Sequence, residues 1–280
     1  MARLGANRYG KSRVRLSRIT RHGDHHDFNE WTVQILLEGD FDSSFTAADN
    51  SKILPTDTMK NTVYSVARAS KAATIEDFAK ELGDYLLNHN PQVSKASVDV
   101  WEKAWDRMEV NGTQEATTFQ LGGPQQQTSH AERTQAGGWA VTSGVEGLTI
   151  LKTTKSAFAG YIKDALTTLK PASDRIFGTC ATVKWDYAID APDYAGVRTR
   201  VLDTLRKTFA GHDSMSVQHT LFDMGKAALD TAPEIARITL TMPNLHHLLA
   251  DLSPFGQDNP NHIFVPIDEP HGSIEATVEH

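Results

Sequence analysis

A chain of 280 residues, 39% hydrophobic and 22% charged, is long enough to bury its own core, and no apolar run approaches the roughly 20 residues that span a bilayer. With 28 Lys and Arg against 35 Asp and Glu, the formal charge of -7 opposes non-specific binding to nucleic acid, and any site for a small anion needs locally placed cations. A single cysteine, Cys180, excludes an intrachain disulfide and a thiolate metal cluster, and it is assigned no role.

The first forty residues read as a hairpin. Val14 and Leu16 alternate with Arg13, Arg15 and Ser17 in "KSRVRLSRIT", "WTVQILLEGDF" supplies a more apolar second strand, and the polar "RHGDHHDFNE" joins them. "TIEDFAKELGDYLLNH" places Ile75, Phe78, Leu82, Tyr85 and Leu86 at helical spacing, with Thr74 and Asp77 as a capping pair. "ASVDVWEKAWDRM", "ATTFQL" and "GWAVTSGVEGLTILK" read as strands, and the glycine-rich "LGGPQQQTSHAERTQAGG" between them as an exposed loop.

The second half repeats the theme. Ala181, Val183, Trp185 and Tyr187 alternate with polar residues in "ATVKWDYAI". One helix follows through Val197, Val201, Leu202, Leu205 and Phe209, stopping near Gly211, and another through Val217, Leu221, Met224 and Ala228. Ile238, Leu240 and Met242 then alternate in "ARITLTM". This order predicts an antiparallel α+β fold in two modules, residues 1–137 and 138–280. Each sheet would carry helices on one face and offer the other to a partner, such as another subunit.

Catalytic signatures are sparse in this sequence. His22, His25, His26 and Asp27 in "HGDHHD" are acceptable ligand types, but they sit in a hairpin tip and match no ligand frame, so no metal is assigned. There is no Walker A, no GxGxxG, no GxSxG elbow, no HExxH and no CxxC, which weighs against the common nucleotide-binding, hydrolase and zinc classes. Lys11 stands just ahead of the first strand, Thr56, Asp57 and Asn61 at a helix start, and Asn244, His246 and His247 at the end of an apolar run. Taken singly, each has a bland explanation, such as an exposed lysine or an N-cap.

Taken together, "YGK", "TDTMKNTVY", "GLTILKTTKSAFAGY", "TTLKPASDRI", "SVQHTLFDMG", "MPNLHH" and "DLSPFGQDNPN" occur in an order and spacing that resembles the urate oxidase (uricase) family, from Tyr9 to Ala276. The resemblance implies a T-fold (tunnelling fold): two modules per chain and a homotetramer around a barrel-lined tunnel. It implies active sites at subunit interfaces and no metal or organic cofactor. The reaction implied is oxidation of urate by O2 to 5-hydroxyisourate and hydrogen peroxide.

Residue by residue, the resemblance implies that Arg175 and Gln218 clamp the purine edge, Phe158 stacks on its face and Val217 offers a backbone N–H. A guanidinium fork suits an anion with adjacent carbonyl and ring-nitrogen groups, and a carboxamide both donates and accepts. Asn244 would hold O2 and later water, and Lys11, Thr56 and His246 would form a proton relay, the lysine acting as base only when neutral. Lys11, Thr56 and Asp57 are expected from the neighbouring subunit, with Leu245 and His247 turned away by strand alternation. Leu245 and Pro171 depart from residues common in the family. "IEATVEH" has no peroxisomal tripeptide, so a cytoplasmic location is expected. Other tunnelling-fold enzymes anchor pterins or purines with a glutamate where this chain has Gln218, and a non-catalytic purine binder would keep only the clamp.

Overall fold

The computed structural model describes residues 2–280, the side chain of Asp268 excepted. The chain divides into two compact units, Met1–Val145 and Glu146–His280. The division falls inside a strand, whereas the sequence reading set it at the glycine pair Gly137 and Gly138 just ahead of that strand.

Unit 1 opens with β1 (Tyr9–His22) and β2 (His25–Gly39), followed by a short helix α1 (Asp42–Thr46) and by α2 (Thr56–Ala69) and α3 (Ile75–His89). It continues through β3 (Val93–Val110) and β4 (Thr113–Thr134) into β5 (Ala140–Lys152). The strands lie in sequence order, with β1, β2, β3 and β4 paired antiparallel. Alternation along β2 and β3 buries Val33, Ile35, Leu37, Val98 and Val100 beneath Ile75, Phe78, Leu82 and Leu86 of α3. Each such side chain contributes on the order of 1.5–3 kcal/mol. Tyr85, at the same helical spacing, is exposed instead. The cap of α3 forms as read, with Thr74 Oγ1 accepting from the Asp77 N–H at 3.2 Å.

Two segments of unit 1 differ from the sequence reading. Residues 121–134, expected as a loop, are strand, paired with β3 from Trp105↔Leu121 to Lys95↔Thr134. The polar side chains hid a backbone that pairs with β3 at Leu121 and again from Gln126 to Thr134, with a register shift between the two stretches. The "HGDHHD" segment is also shorter as a loop than expected: the turn is only Gly23–Asp24, and His22 pairs with His25 across the ladder.

Unit 2 takes up the rest of β5, then β6 (Phe177–Tyr187), α4 (Tyr194–Gly211), α5 (Val217–Thr231), β7 (Ile235–Leu249) and β8 (Phe264–Glu279). Strands β6, β7 and β8 pair antiparallel. The apolar faces of α4 and α5 are buried as their spacing requires. Helix α5 lies close on β8, so close that a Cβ at Gly225 would meet Val278 Cγ2 at 2.6 Å. Strand β8 had no counterpart in the sequence reading, because its two prolines and scattered acids mask the alternation. No helix among the described residues is long and apolar enough to cross a membrane.

Candidate functional site

Unit 2 holds a cavity of ≈ 290 Å³ lined by Phe158, Arg175, Val217, Gln218, Asn244 and His246, which come from four separate stretches of the chain. Local structure explains how each arrives. Phe158 and Ala172 exchange backbone hydrogen bonds of 2.8 and 2.9 Å, closing the loop between them into a bridged excursion. Asp174 fixes the base of that loop, accepting from Thr154 Oγ1 at 2.7 Å and from the Ser156 N–H at 3.3 Å. Arg175 is thereby aimed with its guanidinium carbon 5.3 Å from the centre of the Phe158 ring, the reach of a cation–π contact.

Val217 and Gln218 are the first two residues of α5, whose cap Ser216 accepts from the His219 N–H at 3.1 Å. The leading N–H groups of a helix have no partner within it, and they carry the positive end of its dipole. With the Arg175 guanidinium in the same lining, the cavity favours a small anion electrostatically. Burial lowers the pKa of Arg175, though it stays a cation at any ordinary pH, and its Nε has no hydrogen-bond partner among the described residues. It is thus a charged donor held ready for an acceptor.

Asn244 and His246 come from β7. The His246 imidazole is held below its usual pKa, first by burial and then by the charges of Arg175 and His271. His247 also lines the cavity, contrary to the expectation that it turns away. Pairing of β7 with β6 ends at Gly178↔Leu245, and the ladder to β8 breaks between Asn244↔Gly272 and His246↔Ile267. The pleat is therefore released where the strict alternation was assumed, and β7 runs on to Leu249 instead of ending at the histidines. Leu169, Leu248 and Ile274 complete an apolar wall that no motif in the sequence signalled.

Lys11, Thr56 and Asp57 belong to unit 1. Lys11 follows Gly10, where a Cβ would stand 1.8 Å from the Ile35 carbonyl oxygen, and a bulge separates Lys11 from Val14. Thr56 and Asp57 are exposed at the start of α2. The Asp57 carboxyl is held below its ordinary range chiefly by its hydrogen bond to Lys60, with Asn61 and the charge of Lys11 adding to it. Tyr9 ties the two stretches together: its hydroxyl donates to the Leu54 carbonyl at 3.1 Å and accepts from the Leu54 N–H at 2.8 Å.

In the β1–β2 hairpin, His22 pairs with Asp27 at 3.0 Å and Asp27 with Arg107 at 2.7 Å. Among the described residues, three ligand atoms converge elsewhere, on His212, His219 and Asp223.

A sequence model of the uricase family, described as "Uricase", matches residues 7–133 and 141–275. A uricase of Arthrobacter globiformis is 40% identical over 276 residues, covering 99% of this chain and 89% of that protein. The chain belongs to the uricase family. Uricase-2 isozyme 2 of Glycine max is 39% identical over 292 residues, covering 97% of this chain and 93% of that one. The crystal structure of the Arthrobacter globiformis uricase superposes with a TM-score of 0.94 at 38% identity, covering all 100% of this chain and 96% of that one. A urate oxidase of Bacillus sp. TB-90 shares the fold, with a TM-score of 0.86 at 20% identity.

Proposed function

We propose that this chain is a urate oxidase that binds urate in the unit 2 cavity and oxidises it with O2. The observation that carries the reading is the convergence of Phe158, Arg175, Val217, Gln218, Asn244 and His246 on one cavity. Membership of the uricase family supports the same reaction.

Arg175 supplies charge and paired donors to the urate anion, Gln218 pairs with the purine edge, the Val217 N–H adds a donor and Phe158 stacks on the ring. Asn244 holds O2, and afterwards the attacking water, over the bound ring. Lys11, Thr56 and His246 remove and carry the proton, leaving an electron-rich anion that passes two electrons to O2. The balance is urate plus O2 plus water to 5-hydroxyisourate plus hydrogen peroxide. Neither a metal nor an organic cofactor takes part. The chain assembles as a homotetramer of tunnelling-fold subunits, in which Lys11, Thr56 and Asp57 of one subunit complete the cavity of its neighbour. That division is supported by the placement of those three residues in unit 1 and of the other six in unit 2.

The test is loss of the near-ultraviolet absorbance of urate with oxygen uptake recorded in parallel, on chelator-treated protein. Turnover of one O2 per urate is expected, with Lys11→Ala and Thr56→Ala slowed by orders of magnitude at similar urate affinity. Parent-like rates in both variants would remove the relay assignment. Tight urate binding without oxygen uptake in the parent would make the chain a binding protein.

A further inference from the structure

The connection between α4 and α5 gathers two imidazoles and a carboxylate that the proposed reaction leaves unused. His212 caps α4, and His219 and Asp223 stand one turn apart on the first turns of α5, which puts both on one face of the helix. One ligand-type atom from each lies within 4.8 Å of the other two. His212 Nδ1 is 3.0 Å and His219 Nε2 3.8 Å from the same oxygen, Asp223 Oδ2. The two rings meet edge to face with centres 4.4 Å apart.

We propose that His212, His219 and Asp223 form a binding site for a divalent transition metal of the zinc class. A zinc ion with bonds of about 2.0–2.1 Å to nitrogen and oxygen spaces tetrahedral ligands about 3.4 Å apart, between the two separations observed. Two imidazoles and one carboxylate with an open fourth position for water suit such an ion better than magnesium or calcium, which take oxygen ligands.

His212 is held in place before any metal arrives. The His212 N–H donates to the Thr208 carbonyl at 2.9 Å, and Lys152 Nζ donates to the carbonyls of His212 and, at 3.2 Å, of Phe209. All the polar engagement of the His212 ring is on the Asp223 side, since its Nε2 is buried without a hydrogen-bond partner among the described residues. The metal replaces the proton between His212 Nδ1 and Asp223 Oδ2, and His219 swings in as the third ligand. Bound there, the metal fastens the end of α4 to the start of α5 across residues 212–219, the stretch in which Ser214 also accepts a 2.7 Å hydrogen bond from the Ala157 N–H. This role is separate from the reaction and does not depend on its assignment.

The test uses the full, untagged chain freed of metal by a chelator and titrated calorimetrically with Zn2+. One zinc per chain is expected, with a thermal midpoint that rises as zinc is added. Loss of an outer-shell partner alone costs about 10–100-fold in metal affinity, so His219→Gln and Asp223→Asn should each weaken binding by more than about tenfold and abolish the thermal shift. His219 is exposed, so its variant keeps the fold, which circular dichroism checks. His26→Gln, in the β1–β2 hairpin, should bind zinc as the parent does. Parent-like zinc binding in both ligand variants, or no binding by the parent below about 100 μM, would overturn the proposal.

Discussion

The guanidinium carbon of Arg175 stands 5.3 Å from the centre of the Phe158 ring, so one charged and one aromatic group share a wall of the cavity. Removing the charge by Arg175→Gln takes away hydrogen bonds to an anion that are worth about 1.5–3 kcal/mol each. Urate affinity, measured calorimetrically without oxygen, should fall about 10–100-fold. Arg175→Lys should recover only part of it, because an ammonium has no planar fork. Equal affinity in the parent and Arg175→Gln would place the anion elsewhere.

The same arginine couples to His246. Burial comes first and the Arg175 and His271 charges next in holding the imidazole below its ordinary value, so the neutral ring persists to a lower pH than in a free histidine. If His246 must be neutral to accept a proton, kcat/KM falls as pH drops through that lowered value, and the acid limb should lie below about pH 6.5. Taking away one positive neighbour raises the pKa, so Arg175→Gln should move the limb upward in a pH–rate profile. A limb that stays put would separate His246 from the titrating group.

Tyr9 offers a test of positioning. Its hydroxyl is bonded to both polar groups of Leu54, two residues ahead of Thr56. Tyr9→Phe leaves those groups without that partner at a cost of about 1–3 kcal/mol. The thermal midpoint should drop, and kcat should fall several-fold while KM for urate holds, since the residues proposed to clamp the purine belong to unit 2. A rise in KM with kcat unchanged would contradict the positioning role.

Acid stability has a local source in unit 1. Lys103, then Arg15 and Trp105, hold the Glu30 carboxyl down to about 2, against 4.5 for the free group. Because the folded value is depressed, this stabilisation is complete above the unfolded pKa and is lost as pH falls from about 4.5 toward 2. The urea midpoint of Glu30→Gln should be lower than that of the parent at pH 7, and the two should converge near pH 2. A constant gap across that range would assign the effect to packing.

How legible the molecule was in its sequence depended on how strongly periodicity spoke. The helices carrying Phe78, Leu205 and Met224 announced themselves, because an apolar face repeating every three or four residues has no other use. Strands were harder wherever both faces were half-wet. Residues 121–134 are strand although they read as loop, since a backbone ladder leaves no mark on glutamines and threonines. The cavity was legible only through the resemblance of whole blocks such as "SVQHTLFDMG", because Phe158, Arg175, Gln218 and Asn244 arrive from separate elements and share no spacing rule. His247 escaped the reading for a physical reason: alternation holds only where both neighbouring strands pin the pleat, and beyond Leu245 one of them has gone. The convergence of His212 with His219 and Asp223 was hidden by the turn that separates two helices.

The break in the β7–β8 ladder has a consequence for how such a chain tolerates change. Residues 268–271 stand opposite Leu245 alone, between Gly272 paired to Asn244 and Ile267 paired to His246. A strand that gains or loses a residue within a regular ladder turns every later side chain to the wrong face. Here an insertion or deletion in 268–271 should be absorbed locally, with Asn244 and His246 keeping their partners on either side. The same change in residues 272–279 would propagate, displacing the contacts of Thr239 with Thr277 and of Thr241 with Glu275. Length variation in relatives should therefore collect in one short excursion of the last strand, which works as an expansion joint beside the cavity.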